Sequence, residues 1–465
     1  AFTSYIQGGI QLGADIDGGT VGFSNHQLGK SVSLSSDGSR AAIGSGYGKG
    51  HVGIYSWNGS GWTQLGVNID AEAGGDEGGW SVSLSSDGSR VAIGSKLADA
   101  SGSLNNDNRG HVRIYSWNGS AWTQLGADID GEASLDHSGW SVSLSSDGSR
   151  VAIGAPNNDA GNGVGDNRGH VRIYNYTPSG TASWTQLGAD IDGEASLDQS
   201  GLSVSLSSDG SRVAIGADGN DGNGTSSGHV RIYNYTPSGT ASWTQLGADI
   251  DGEATTDQSG NSVSLSSDGS RVAIGALGND VGSPSIGANY GHVRIYNYTP
   301  SGTASWTQLG ADIDGEASND QSGGSVSLSS DGSRVAIGAK QNNGSNGSTS
   351  GHVRIYNYTP SGTASWTQLG ADIDGEASND QSGGSVSLSS DGSRVAIGAT
   401  VNNASKGHVR VYSLGGYQYA WDVDGNGTPS DGSYSATVSG TDTAGNAYVA
   451  GTQSITFTID SIAPT

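Results

Sequence analysis

Ser141-Val142-Ser143-Leu144-Ser145-Ser146-Asp147-Gly148-Ser149-Arg150-Val151-Ala152-Ile153-Gly154 reads as a β-hairpin. Val142 and Leu144 alternate with serines, and Val151 and Ile153 stand two apart. The residues between them, Ser146-Asp147-Gly148-Ser149, tolerate left-handed backbone angles and suit a tight turn. After a stretch rich in Gly, Asn and Asp, residues 169–176 alternate again. The Thr-Pro-Ser-Gly turn at 177–180 then leads into a fourth run at 183–191. Four short strands cannot bury their own apolar face, so the unit must stack on neighbours.

The neighbours are copies of itself. Gln-Leu-Gly begins at residues 11, 64, 124, 186, 245, 308 and 368, in steps of 53, 60, 62, 59, 63 and 60. The Gly-His-Val and Ser-Ser-Asp-Gly words recur seven times in the same order. The expected fold is therefore all-β, a seven-bladed β-propeller with four antiparallel strands per blade. The chain ends support a closed ring. The last unit has no Trp-Thr-Gln-Leu-Gly after its third strand, whereas an orphan Gln-Leu-Gly-Ala-Asp-Ile stands at 11–16. Residues 5–16 are thus expected to complete the last blade and remove an open sheet edge. The domain plan is a propeller over 1–413 and a short β segment over 414–465.

Composition restricts the function. The chain has 80 Gly, 8 Pro, no Cys and no Met, and no amphipathic helical period. At 33% hydrophobic, the core must be distributed between blades. No apolar run is long enough to span a membrane. The lack of Met fits a cleaved secretory signal or a piece of a longer chain. Lys and Arg total 20 against 45 Asp and Glu, a net charge of −25, and 13 of the Arg belong to two repeat words. Such a field repels nucleic acid and anionic membrane, so neither partner nor membrane insertion is expected. An acidic surface of this kind suits a secreted or cell-surface protein.

The words themselves resemble a family. Ser138-Gly139-Trp140-Ser141-Val142, through Val151-Ala152-Ile153-Gly154-Ala155-Pro156, to Gly169-His170-Val171-Arg172-Ile173-Tyr174 resembles the FG-GAP repeat. That repeat builds the seven-bladed propeller of integrin α-chains and of many large bacterial surface proteins. The resemblance covers roughly residues 5–413, and it implies an extracellular adhesion role. One departure matters. The family often joins its first two strands by a DxDxDG calcium loop, whereas here the joins are Ser-Ser-Asp-Gly, as at Ser207-Ser208-Asp209-Gly210. One carboxylate does not make a calcium cage, so this Asp reads as a turn former.

A second acidic word runs from the fourth strand of one blade to the first of the next: Asp190, Asp192, Glu194 and Asp198, repeated as Asp249, Asp251, Glu253 and Asp257. It reads either as a cation-bridging rim or as a structural turn whose carboxylates cap amides and pair with the repeat Arg. Asp192, Glu194, Asp198, Asp251 and Glu253 are candidate ligand contacts. The histidine of Gly-His-Val, one per blade with no second His or Cys nearby in sequence, is expected to be a hydrogen-bonded structural residue. The repeated Trp, such as Trp184, is a packing residue. Trp80 and Trp140 instead fill a slot that is Leu202, Asn261, Gly324 and Gly384 in other blades, a hint of a sugar or peptide contact. The variable loops 96–109, 156–168, 217–227, 277–290 and 340–350, with 18–30, are the candidate recognition loops. None spells a catalytic motif, and the chain is expected not to be an enzyme.

From Leu414 the repeat stops, and Gly432 to Val438, Thr441 to Asn446 and Gln453 to Asp460, with the Ile-Ala-Pro-Thr ending at 462–465, resemble the later half of a bacterial immunoglobulin-like repeat. Asp422, Asp424 and Asn426, with Asp431 nearby, match the first half of an EF-hand loop and are candidate calcium ligands. Calcium is the one cofactor expected. The leading functional expectation is an extracellular binding or adhesion module whose partner is a protein or a glycan. The alternatives are a structural subunit that packs against copies of itself, and a propeller lectin.

Overall fold

Val142 lies opposite Ile153 and Leu144 opposite Val151, in the register the alternation predicts. The computed structural model describes residues 2–6, 9–18, 27–99, 107–161, 165–178, 183–237, 242–280, 287–300, 305–360, 365–402, 406–414, 417–421, 432–437 and 454–459. In the third repeat, Ser141–Leu144, Arg150–Ala155, His170–Thr177 and Ser183–Gln186 pair in sequence order into one antiparallel sheet. The predicted fourth run at 183–191 is split. Ser183–Gln186 ends before Gly188, whose φ of 83° turns the chain, and Ile191–Asp192 then pairs back onto His170 and Val171. A glycine tolerates that left-handed angle, so one outer edge strand becomes two short pieces on the same third strand.

All seven repeats build this sheet, and the chain forms the predicted seven-bladed propeller. The last blade combines Ser382–Leu388, Arg394–Ala399 and His408–Ser413 with the N-terminus. Ile10 and Gln11 pair with Ser413 and Tyr412, and Ile16 and Asp17 pair with Val409 and His408. The N-terminal strand therefore closes the ring.

The core consists of seven equivalent seams between blades. One seam packs Ala152, Val171, Ile173 and Ile191 of the third blade against Val204, Leu206, Val213, Ile215 and Tyr233 of the fourth. At roughly 1.5–3 kcal/mol per buried large apolar side chain, each seam holds its two blades together without a central core. Trp243 covers the rim of this seam and donates its Nε1–H to the Leu187 carbonyl at 2.7 Å, as expected of a packing residue.

Polar belts run along the same seams. The backbone N–H of Ser36 donates to the Ser86 carbonyl, Ser86 to Ser146, Ser146 to Ser208, Ser208 to Ser267, Ser267 to Ser330, Ser330 to Ser390, and Ser390 back to Ser36. This belt surrounds the lower end of the central channel, a space of about 150 Å³ lined by Leu34, Leu144 and Leu388 among others. The first strands line the axis. A second belt is made by the repeat arginines, each donating to a glycine carbonyl of the next blade, as Arg150 does to Gly210 at 3.0 Å.

Two short sheets form a separate unit, made of residues 1–5 and 417–465. Phe2–Ile6 pairs with Tyr417–Trp421, and Gly432–Thr437 pairs with Ser454–Ile459. Most of the stretch expected to be immunoglobulin-like lies outside the described residues. So do the calcium candidates Asp422, Asp424, Asn426 and Asp431.

Candidate functional site

The repeat breaks most sharply at the end of the axis opposite the serine belt. Each Ser-Val-Ser-Leu of a first strand is preceded by one slot residue, which is Lys30, Trp80, Trp140, Leu202, Asn261, Gly324 or Gly384 in blade order. The residue after each second strand forms a neighbouring slot, occupied by Gly46, Lys96, Pro156, Asp218, Leu277, Lys340 and Thr400. A closely repeated scaffold thus carries side chains that vary from blade to blade around the channel mouth.

Blades one to three bring cations and indoles together there. The Trp80 and Trp140 rings lie 5.2 Å apart, tilted by 57°. Lys96 Nζ stands 3.2 Å from the Trp80 ring centre and 4.4 Å from that of Trp140, and Lys30 Nζ stands 3.8 Å over Trp80. Cation–π contact holds both ammonium groups over the aromatic faces. Glu77 neutralises one of them, its Oε2 lying 3.3 Å from Lys96 Nζ. Burial lowers Lys30 to about 8, with further lowering by Lys340 and Lys96 and an opposing pull from Glu77. Burial likewise lowers Lys96, against the attraction of Glu77. The sequence has five lysines, so Lys30, Lys96 and Lys340 gather most of them at one mouth of a chain carrying −25.

Polar and apolar groups extend the same face. His137 stacks on Trp140 with ring centres 6.2 Å apart, and burial and Lys96 lower its pKa. Asp218 is buried, accepts from Asn261 Nδ2 at 3.2 Å, and is raised by that burial despite the hydrogen bond. Leu135 and Leu197, in the connections that lead to Trp140 and Leu202, are 48% and 57% exposed. Both hold positive φ, 71° and 68°, an uncommon conformation for a bulky side chain. The indoles, Lys30, Lys96 and the exposed leucines therefore belong to the first four blades, and Lys340 to the sixth.

The carboxylates of the second acidic word have separate tasks. Asp198 is buried and its Oδ2 accepts the backbone N–H groups of Glu194 and Ala195, at 3.1 and 2.9 Å. Glu194 Oε1 lies 3.4 Å from Arg231 Nη1, and Glu253 Oε1 lies 3.5 Å from Arg294 Nη1. Asp192 and Asp251 act through their carbonyls, which accept from Arg231 at 2.8 Å and Arg294 at 2.7 Å. Burial, with Asp190 beside it, raises the Asp192 carboxyl. These five residues belong to the blade junctions, while Trp80 and Trp140 share the axial mouth.

Apart from His51, which is hydrogen-bonded to Ser45, the repeat histidines differ from expectation. His170 is 1% exposed and makes no hydrogen bond; its Nδ1 faces Glu132 Oε2 at 3.8 Å and Asp190 Oδ2 at 4.0 Å. Burial, reinforced by Arg172 and opposed by Asp190, lowers it to about 4, so the ring is neutral at pH 7. Sequence reading missed this grouping because Glu132 and Asp190 come from connections on either side of the blade. It also missed Lys30, although Lys30 occupies the very slot that singled out Trp80 and Trp140.

No protein-family model matches the chain, and no curated protein is similar to it in sequence. A solved structure from Bacteroides uniformis ATCC 8492, a candidate 6-phosphogluconolactonase, is similar at a TM-score of 0.48 and 10% identity, over 74% of this chain and 85% of that one. That likeness is one of fold alone. One expectation is corrected: that neighbour is named for an enzymatic activity, and the expectation that this chain is not an enzyme is not kept. Among the described residues, no helix is long and apolar enough to cross a membrane. The seven antiparallel blades place the chain among the β-propellers.

Proposed function

We propose that the chain is a binding module that takes a short acidic saccharide at the axial mouth of its first four blades. The observation that carries this reading is the stack of Lys30 and Lys96 over Trp80, with Trp140 beside it. An indole offers a flat apolar face to a sugar ring, and an ammonium group meets a carboxylate or sulfate by a charge-assisted hydrogen bond. The acidic remainder of the surface repels long polyanions and confines an anionic ligand to this mouth. Seven glycine-led first strands and the Gly-His-Val words support the wider reading as an FG-GAP-type, integrin-like adhesion module of a secreted or surface protein. The β segment after residue 414 supports attachment to further immunoglobulin-like domains.

A glycan array that sets uronic and sulfated saccharides against their neutral counterparts tests the proposal. Acidic members should be retained and neutral ones lost. A response equal across both groups, or none, overturns it.

A further inference from the structure

Outside the mouth, the same side-chain grouping recurs at six blade junctions. His111 meets Glu72 and Asp128, His170 meets Glu132 and Asp190, and His229 meets Glu194 and Asp249, the ligand atoms of each trio lying within 4.8 Å of one another. His292 faces Glu253 and Asp312 at 3.9 and 4.0 Å, His352 faces Glu316 and Asp372 at 3.9 and 3.6 Å, and His408 faces Glu376 and Asp15 at 3.8 and 3.7 Å. Each of these histidines is at most 2% exposed, and Nε2 of His111, His170, His292 and His408 has no hydrogen-bond partner. A buried imidazole in this state is costly unless something meets it.

The surrounding groups hold the carboxylates so that one oxygen of each stays open toward the ring. Gln186 Nε2 donates to Asp190 Oδ1 at 2.6 Å and leaves Oδ2 toward His170. Arg172 Nη1 lies 3.6 Å from Glu132 Oε1 and leaves Oε2 toward the same Nδ1. Outer groups that fix a ligand's orientation are characteristic of metal centres. Calcium takes oxygen ligands only, whereas imidazole with carboxylate suits zinc, copper or nickel. Bonds of about 2.0–2.2 Å to a tetrahedral ion set its ligand atoms about 3.3–3.6 Å apart. The His-to-carboxylate distances of 3.6–4.0 Å lie at or a few tenths of an ångström above the top of that span, those of His111 to Glu72 and His229 to Glu194 are longer but within 4.8 Å, and Glu132, with its side chain 46% exposed, has room to move.

We propose that these six junctions are sites for a divalent transition ion of the zinc type, each ion held by His Nδ1, an Asp oxygen and a Glu oxygen. The Glu comes from the exit of one blade and the His from the next, so each ion staples two blades. The seventh junction supplies a control. His51 Nδ1 lies 3.3 Å from Ser45 Oγ, the Asp position is Asn68, and residues 18–30 carry no carboxylate.

Equilibrium dialysis of the whole chain against Zn²⁺ after chelator treatment, with metal counted by atomic emission, tests the assignment. Close to six ions per chain are expected, unchanged by excess Ca²⁺. His170→Ala should remove one ion, Glu132→Gln should weaken one site about tenfold or more, and His51→Ala should change nothing. A count below one per chain overturns the proposal, as does a count that neither His170→Ala nor Glu132→Gln alters.

Discussion

Leu34 donates its backbone N–H to Ser387 Oγ at 3.0 Å, across 353 positions of sequence, and so joins the first blade to the last. The same bond recurs around the ring, for example from Leu144 to Ser83 and from Leu206 to Ser143, at spacings near one repeat. At the closing seam the propeller therefore uses the same bond as at every other seam, with the N-terminal strand added.

Closure makes the N-terminus indispensable. A chain beginning at residue 19 loses the pairing of Ile10–Gln11 and Ile16–Asp17 and the acceptor of Trp62 Nε1–H, the Leu12 carbonyl at 2.9 Å. Calorimetry should show a melting temperature many degrees lower and association through the opened third strand. An unchanged melting temperature would contradict the closure.

Glycine at 154 is a close-approach requirement. A Cβ there would stand 2.0 Å from the Gly201 carbonyl oxygen of the next blade and 2.4 Å from Ser141 Oγ. Gly154→Ala should cost more than about 3 kcal/mol in denaturant unfolding, because backbone must shift to make room. Gly74→Ala, where a Cβ meets nothing within 4 Å, should stay within about 0.5 kcal/mol.

The hairpin turns predict an acid limb. Burial acts to raise the carboxyl of Asp147, but hydrogen bonds from the Ser149 amide and from the Ser145 and Ser149 hydroxyls outweigh it and hold the pKa below the usual value. Asp37, Asp87, Asp209, Asp268, Asp331 and Asp391 are lowered likewise. A carboxyl lowered on folding stabilises above its unfolded pKa of about 3.9, and the contribution is lost as pH falls through the folded value. Stability measured below pH 4 should fall steeply, and Asp147→Asn should reduce that slope by up to one proton.

Lys30, in contrast, destabilises the fold while it is charged. Its pKa is lowered to about 8 by burial, so the unfolded chain holds that proton more tightly between pH 8 and about 10.4. Its contribution to stability therefore rises with pH across that window. Lys30→Met should be more stable than the parent at pH 7, and the difference should shrink by pH 10 in parallel urea titrations. A constant difference would show that Lys30 is not desolvated.

The architecture was legible because Val142, Leu144, Val151 and Ile153 repeat their alternation in every blade, and because the orphan words at 11–16 match the strand the last blade lacks. The mouth was half legible. Trp80 and Trp140 stood out as breaks in the repeat, while Lys30 and Lys96 came to light only when first and second strands were placed side by side around the axis. The His170 grouping was illegible, because repetition made His170, Glu132 and Asp190 each look like scaffold. Only the stacking of one blade on the next brings their open atoms together.

Calorimetric titration of the chain with a short oligouronate probes the mouth itself. Saturable one-site binding is expected, weakening with added salt, falling about tenfold or more in Lys96→Met and Trp140→Ala, and unchanged in Gly74→Ala. Binding that is absent, or that survives both mouth substitutions, would contradict the proposed function.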